Sequence, residues 1–278
     1  MIASGCGGVD RFVKCNWDPE MLSLVNNRKP TKGAAFFCTY DGPGKATVFF
    51  TGNSFALRQL PAVKESLKGK YKKFYYAARP ACLTFESFND GYSKYWQCDE
   101  IRNKTVQFLK KFKPDFLVIT QKMSDNSRFT KRVTMEQARN DSTTLKVAEY
   151  FKMFSPFVKK IFVIEPHMTV GYNPATKLAK AISLGNPIDK YFLSLSTVER
   201  QVNPGWFRIL AAMENCPKCV PISIRGAYCK GDKCPVYEEK TKLSLFCDNA
   251  HVSPHGGEVM IPVLKPIFDN ALTELGLN

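Results

Sequence analysis

A serine on a tight turn after an apolar run, Thr51-Gly52-Asn53-Ser54, is followed almost two hundred residues later by Asp248-Asn249-Ala250-His251. These are the residue types that acyl chemistry on a serine needs. A serine hydroxyl is a weak nucleophile until a general base takes its proton, and the base needs a carboxylate to fix its tautomer. Val48-Phe49-Phe50-Thr51 reads as a buried strand, Gly52 and Asn53 as turn formers, and Phe55-Ala56-Leu57 as the opening of a helix. A serine there stands at a helix N-terminus, where backbone N–H groups can bind a developing oxyanion. The competing reading of Ser54 is a plain helix N-cap. Asp248 precedes His251 by three residues, close enough to reach its Nδ1 within one turn. The chain has only three histidines. His255, seven residues after Asp248 and following Pro254, is the rival base; His167 lies after the strand-like Ile161 to Glu165 and lacks a supporting motif.

Those residues need a scaffold, and the pattern from residue 46 onward supplies one. Short β-branched or aromatic runs (Ala46 to Thr51, Lys73 to Ala77, Asp115 to Thr120, Ile161 to Glu165, Val220 to Ile224) alternate with helix-like stretches at Phe55 to Leu67, Tyr95 to Phe112, Met135 to Phe154 and Val198 to Met213. Alternation of this kind implies an α/β fold, a mainly parallel five-stranded sheet with helices on both faces. A last helix is expected over Glu258 to Leu275, broken or displaced early by Pro262 and Pro266. Met168 to Pro187 and Cys216 to Cys234 read as long ordered loops. Residues 1–45 are rich in Gly, Asn, Asp and Pro and read as an irregular, disulfide-tied leader, leaving 46–278 as the catalytic domain. Ligands of open parallel sheets bind beyond the carboxyl ends of the strands. Ser54 follows the first strand, and Asp248 with His251 follows the extended piece Leu243 to Phe246, so all three are expected at one edge.

The 278 residues carry 44% hydrophobic and 13% aromatic residues, which is a globular composition. No apolar run approaches the length of a membrane span. The first residues lack a signal-peptide pattern, so an exported protein would hold this chain as a domain of a longer precursor. Ten cysteines and two acceptor sequons, Asn103-Lys104-Thr105 and Asn140-Asp141-Ser142, point to an oxidising compartment with up to five disulfides. The rival is a zinc site built from Cys216, Cys219, Cys229 and Cys234. A net charge of +15 is spread along the chain without an RNP-type motif, zinc-finger spacing or basic heptads, so a solvated basic surface is expected and no nucleic-acid partner.

Phe50-Thr51-Gly52-Asn53-Ser54-Phe55-Ala56 and Asp248-Asn249-Ala250-His251-Val252-Ser253, followed by Gly256, resemble the first and last blocks of the SGNH hydrolase superfamily. The resemblance is strongest to the branch appended to membrane-bound acyltransferase-3 domains and covers about residues 45 to 275. Tyr76 to Cys82 is similar to the second block, in which a cysteine such as Cys82 pairs with one such as Cys98. Cys229-x4-Cys234 also has the family's look. The resemblance implies a three-layer α/β/α sandwich with a flavodoxin-like sheet, Ser54 as nucleophile, His251 as general base and Asp248 as its orienter. It further implies the Ser54 backbone N–H as one oxyanion donor, and no cofactor or metal. The third-block motif is missing; after Phe116 to Thr120 the chain reads Gln121-Lys122-Met123-Ser124-Asp125-Asn126, so Gln121 and Asn126 stand as candidate donors. Ala78 is nearest to the second-block glycine. The activity implied is that of a serine O-acyltransferase or O-acylesterase outside the cytosol (extracellular, lumenal or periplasmic). It would move an acyl group, acetyl first among candidates, to or from a carbohydrate or lipid hydroxyl beside a covalently linked acyltransferase-3 type membrane domain. The alternative is a non-catalytic binding domain that keeps the fold.

Overall fold

Runs of β-branched and aromatic residues form the strands, and the glycine-rich or polar breaks between them form the turns. The structure, a computed structural model, describes residues 16–25, 36–89, 96, 98 and 104–278. In chain order the elements are β1 (Asn16–Trp17), α1 (Pro19–Ser23), β2 (Phe36–Asp41), β3 (Ala46–Gly52), α2 (Ser54–Ser66), β4 (Tyr71–Ala78), α3 (Lys104–Phe112) and β5 (Phe116–Thr120). They continue with α4 (Ser127–Thr130), α5 (Met135–Arg139), α6 (Ser142–Phe154), β6 (Lys160–Ile164), α7 (Pro174–Ser183), β7 (Phe192–Ser194) and α8 (Leu195–Met213). The last are β8 (Cys219–Ile222), α9 (Arg225–Tyr228), β9 (Lys233–Pro235), α10 (Pro254–Glu258) and α11 (Ile261–Glu274).

Seven strands make one sheet in the order β1-β2-β4-β3-β5-β6-β8. The five from β4 to β8 are parallel, and β2 and β1 extend that sheet antiparallel beyond β4. Counted among themselves the parallel strands run 2-1-3-4-5, the flavodoxin-like order. Helices α2, α10 and α11 pack on one face, and α5, α6 and α8 group together with α3 on the other. Aromatic rings tie the layers: Phe108 of α3 meets Phe37 of β2 and Phe49 of β3 at centroid distances of 5.5 and 5.7 Å. On the opposite face Phe162 of β6 meets Phe268 of α11 at 5.1 Å. β5 is buried along its whole length, as a central parallel strand must be.

Several expectations are corrected. Residues 36–41 are a full strand paired with β4 along its length, so the leader is not irregular there; its Phe-Phe-Cys-Thr-Tyr run has strand composition that the surrounding Gly, Asn and Pro obscured. The sheet therefore has seven strands where five were expected. The stretch from Met168 to Pro187 contains α7, started by the Asn173 side chain accepting from Thr176 N and by Pro174 in the first turn. Cys216 to Cys234 holds β8, which answers to the strand expected at Val220 to Ile224, followed by α9 and the start of β9 where only a loop was expected. The expected Met135 to Phe154 helix is two helices, because the Asp141 carboxylate caps α6 through the Thr143 and Thr144 amides. Asp141 also receives two bonds from the buried guanidinium of Arg208, at 2.9 and 3.0 Å, which fastens α6 to α8. Pro262 lies in the first turn of α11, and Pro266 is carried within it without ending it. Tyr95 to Asn103 lies outside the described residues apart from Trp96 and Cys98, and so does the sequon residue Asn103.

Cys82–Cys98, Cys216–Cys219 and Cys229–Cys234 are disulfides, and Cys38 and Cys247 are disulfide-bonded as well. The four thiols of the zinc reading are thereby consumed. No helix among the described residues is long and apolar enough to cross a membrane. Part of the basic surplus collects where the parallel strands begin. Lys45, Lys70, Lys113, Lys159 and Lys218 each stand within three residues ahead of a strand, on the edge opposite Ser54.

Candidate active site

Ser54 is the first residue of α2, at the carboxyl end of β3 and half-buried. The cap of α2 is Asn53, not Ser54. The Asn53 Oδ1 accepts from Phe55 N at 3.2 Å and from Lys122 N at 2.9 Å, while its Nδ2 donates to Lys122 O at 2.8 Å. One amide side chain therefore caps the helix and ties the turn to the loop after β5. The Ser54 hydroxyl is spared capping duty and makes no hydrogen bond among the described residues. Its backbone N–H heads the helix, where no intrahelical acceptor exists.

At the far end of the chain, Asp248 folds its own loop. Its Oδ1 accepts from Ala250 N at 2.7 Å and from His251 N at 2.8 Å. The His251 Nδ1 lies 2.8 Å from Oδ2 and 3.1 Å from Oδ1, so the imidazole is held by the same carboxylate that shapes its backbone. Burial works to raise the Asp248 pKa, but hydrogen bonds from the His251 ring and the two amides outweigh it and hold it at about 2. Asp248 is thus ionised throughout the ordinary pH range, and Nδ1–H is the His251 tautomer it favours. The loop's exit is equally constrained: Ser253 Oγ donates to Ser244 O at 2.6 Å, and a Cβ on Gly256 would stand 1.8 Å from Leu245 O.

The two ends meet through Phe55. Its ring is edge-on to His251, at a centroid distance of 6.3 Å and 75°, and stacks on His167 at 3.8 Å and 19°. The residue next to Ser54 is therefore in contact with the histidine that Asp248 orients. His255 faces two carboxylates instead, Glu238 at 3.1 Å from Nε2 and Glu258 at 3.3 Å from Nδ1, so both ring nitrogens are engaged on α10.

The other candidates fare unequally. Ala78 is the buried last residue of β4, in register with Phe36 and Gly52. Asn126 caps α4 through Arg128 N and donates to Phe88 O at 2.7 Å, so both ends of its amide serve the backbone. Gln121 is buried; its Oε1 accepts from Thr84 N at 2.9 Å, and its Nε2 has no partner among the described residues. Two groups at this edge carried no sequence motif. Arg58 lies four residues after Ser54, on the same face of α2. Burial lowers its pKa, while nearby Asp248 and Tyr76 raise it, which places a cation in electrostatic reach of the Asp248 carboxylate. The helical spacing from Ser54 was the available signal. His167 is 3% exposed, and burial drives its pKa down to about 3.

That His167 shift makes stability depend on pH. The unfolded chain binds a proton near pH 6.5 that the folded ring refuses until about pH 3. Nothing is lost above pH 6.5; below it, stability falls by about 1.4 kcal/mol per pH unit down to pH 3. In urea unfolding at pH 7 and pH 4, His167→Gln is expected to show a shallower decline than the parent. Equal declines would mean that the ring is not buried neutral.

Comparison with known proteins agrees with this architecture. The family model described as an SGNH domain fused to AT3 domains matches residues 25–266. Among solved structures, the periplasmic domain of lipopolysaccharide acetyltransferase from Salmonella ser. Paratyphi A is similar, with TM-score 0.60, 15% identity, 96% of this chain and 99% of that one covered. The C-terminal catalytic domain of peptidoglycan O-acetyltransferase A from Streptococcus pneumoniae has TM-score 0.41 at 13% identity, covering 83% and 96%. The acetyl-xylooligosaccharide esterase Axe2 of Geobacillus has TM-score 0.42 at 16% identity, covering 86% and 97%. No curated protein matches the chain. The model match spans most of the sequence, and the chain belongs to the family of SGNH domains that occur fused to AT3 domains.

Proposed function

We propose that this domain is a serine O-acyltransferase or O-acylesterase, with Ser54 as nucleophile, His251 as general base and Asp248 as the group that orients and charges the base. The observation that carries the reading is the Asp248–His251 pair set against Phe55, the residue that follows Ser54. In the first half-reaction Ser54 Oγ attacks the acyl carbonyl carbon and its proton passes to His251 Nε2. The tetrahedral oxyanion is stabilised by the Ser54 N–H at the head of α2, with Gln121 Nε2, unpartnered among the described residues, as second donor. Collapse expels the donor's alcohol or other leaving group, which takes the proton from His251. In the second half an incoming alcohol or water gives its proton to His251, attacks the acyl-serine, and regenerates the hydroxyl. The Ser54–His251 hydrogen bond would form in the substrate complex, as such bonds often tighten only there.

An acetyl group and a carbohydrate hydroxyl are the proposed donor fragment and acceptor, in line with the lipopolysaccharide acetyltransferase domain among the structural neighbours. The disulfides and the family support a site of action outside the cytosol, beside a linked acyltransferase-3 type membrane domain. The test is intact-protein mass spectrometry after a fluorophosphonate or p-nitrophenyl acetate. One adduct on Ser54 is expected, lost in Ser54→Ala and strongly reduced in His251→Ala. A folded parent that takes no adduct would leave a binding domain as the reading, and an adduct lost in His255→Ala alone would make His255 the base.

A further inference from the structure

His167 carries an acceptor that no described residue uses. Its Nδ1 is 3.0 Å from the carbonyl oxygen of Met168. A carbonyl only accepts, so Nδ1 bears the hydrogen, and in the neutral ring Nε2 is left as a bare lone pair. That Nε2 is buried without a hydrogen-bond partner among the described residues. An unsatisfied buried acceptor is costly and rare enough to require a reason.

His167 lines a recess of about 20 Å³ together with Lys122, Met123, Pro166, Gln201 and Gly205. Its volume suits one water-sized polar group and little more. Gly205 has no side chain to fill the space, and a Cβ there would already press on Met123 Cε at 3.1 Å. The recess adjoins Ser54 on both sides in sequence: Asn53 is bonded to the backbone of Lys122, and Phe55 is stacked on His167. A methyl group would leave the lone pair unsatisfied, so the occupant must be a hydrogen-bond donor.

We propose that this recess is a subsite for one hydroxyl of a polyhydroxylated acceptor, accepted by His167 Nε2 beside the hydroxyl that is acylated. The idea rests on the Ser54 reading for its catalytic consequence, though not for the binding itself. Charge cannot substitute for this role. A ring that stays neutral to about pH 3 accepts a hydroxyl hydrogen throughout the working range. The recess thereby favours a carbohydrate-like diol over a simple alcohol, because only the diol has a second hydroxyl to place against the buried acceptor.

Two readouts test it. With p-nitrophenyl acetate as donor, the ratio of acetyl transfer to methyl glucoside over transfer to propan-1-ol is measured in the parent, His167→Phe and His167→Gln. The ratio is expected to fall about ten- to a hundredfold in His167→Phe, which can still stack on Phe55. It should stay within a few-fold of the parent in His167→Gln, which restores an acceptor. A ratio unchanged in His167→Phe, both alcohols falling together, would reduce His167 to a support for Phe55 and overturn the subsite. The second readout needs no catalysis: the His167 Nε2 nitrogen resonance is followed as methyl glucoside is added to Ser54→Ala protein. A saturable shift supports the subsite even where Ser54 takes no acyl group, in which case the catalytic reading alone fails. No shift at high glucoside concentration means the recess holds water only, and the proposal falls.

Discussion

Asp248→Asn is expected to fold as the parent does and to lose on the order of 10⁴-fold in turnover of acyl esters. The geometry gives the reason. Asparagine keeps an Oδ1 that can go on accepting from the Ala250 and His251 amides, at 2.7 and 2.8 Å in the parent, so the loop survives. Its Nδ2, however, replaces the oxygen now 2.8 Å from His251 Nδ1. Two N–H groups cannot face each other, so His251 must present a lone pair at Nδ1 and carry its hydrogen on Nε2. The nitrogen that should receive the Ser54 proton is then already protonated. The stabilising charge on the imidazolium side is lost in the same substitution. Because the carboxyl in the parent is held at about pKa 2, its own titration cannot explain any loss of activity above about pH 4. Steady-state hydrolysis of p-nitrophenyl acetate, with circular dichroism as the folding control, checks both halves. Asp248→Asn activity within tenfold of the parent would remove Asp248 from the mechanism. An unfolded variant would assign it to the loop alone.

The parallel strands were legible because a strand buried on both faces cannot disguise itself: Phe116 to Thr120 is five apolar or β-branched residues in a row, and it is buried throughout. β2 was hidden for the opposite reason. Half of its neighbours in sequence are turn formers, and its partner, β4, lies some thirty residues on, a pairing that periodicity does not carry. At Asp141 the cap that starts α6 is local, through the Thr143 and Thr144 amides, and what the sequence does not carry is the hold on that carboxylate by Arg208, 67 residues away. Local patterns record local forces; pairings set by a distant side chain are silent in them.

The site divides along the same line. The Asp248–His251 pair was readable because both members lie on one turn. The engagement of His255 was not, since Glu238, which meets its Nε2, stands 17 residues earlier. Asn126 was a reasonable donor by composition and is spent on a cap and on Phe88 O. His167 had no motif because its significance is three-dimensional: a ring stacked against the residue after Ser54, with one nitrogen satisfied and the other without a partner among the described residues.

The largest structural effect is expected at Gly52, the residue that ends β3 two positions before Ser54. Gly52→Ala should cost about 5 kcal/mol or more, at the extreme of single substitutions, and leave little folded protein at room temperature. Gly52 has φ +154°, a conformation that side-chain-bearing residues rarely adopt, and a Cβ there would stand 1.7 Å from the carbonyl oxygen of Thr120. That oxygen is backbone in the neighbouring strand β5, so it cannot swing aside as a flexible side chain would. Ala56 of α2 closes the same space at 3.0 Å, which blocks relief toward the helix. Glycine is thus what allows β3 to run close against β5 and still turn into α2 with Ser54 at its head. Gly69→Ala is the matched control: its φ of +76° is also strained, but nothing lies within 4 Å of the added carbon. It should cost only about 1–2 kcal/mol. Urea unfolding of the two variants beside the parent separates steric exclusion from backbone strain. A Gly52→Ala midpoint close to that of Gly69→Ala would show that β3 and β5 can part to admit a methyl group, and that the turn before Ser54 is less tightly determined than its geometry implies.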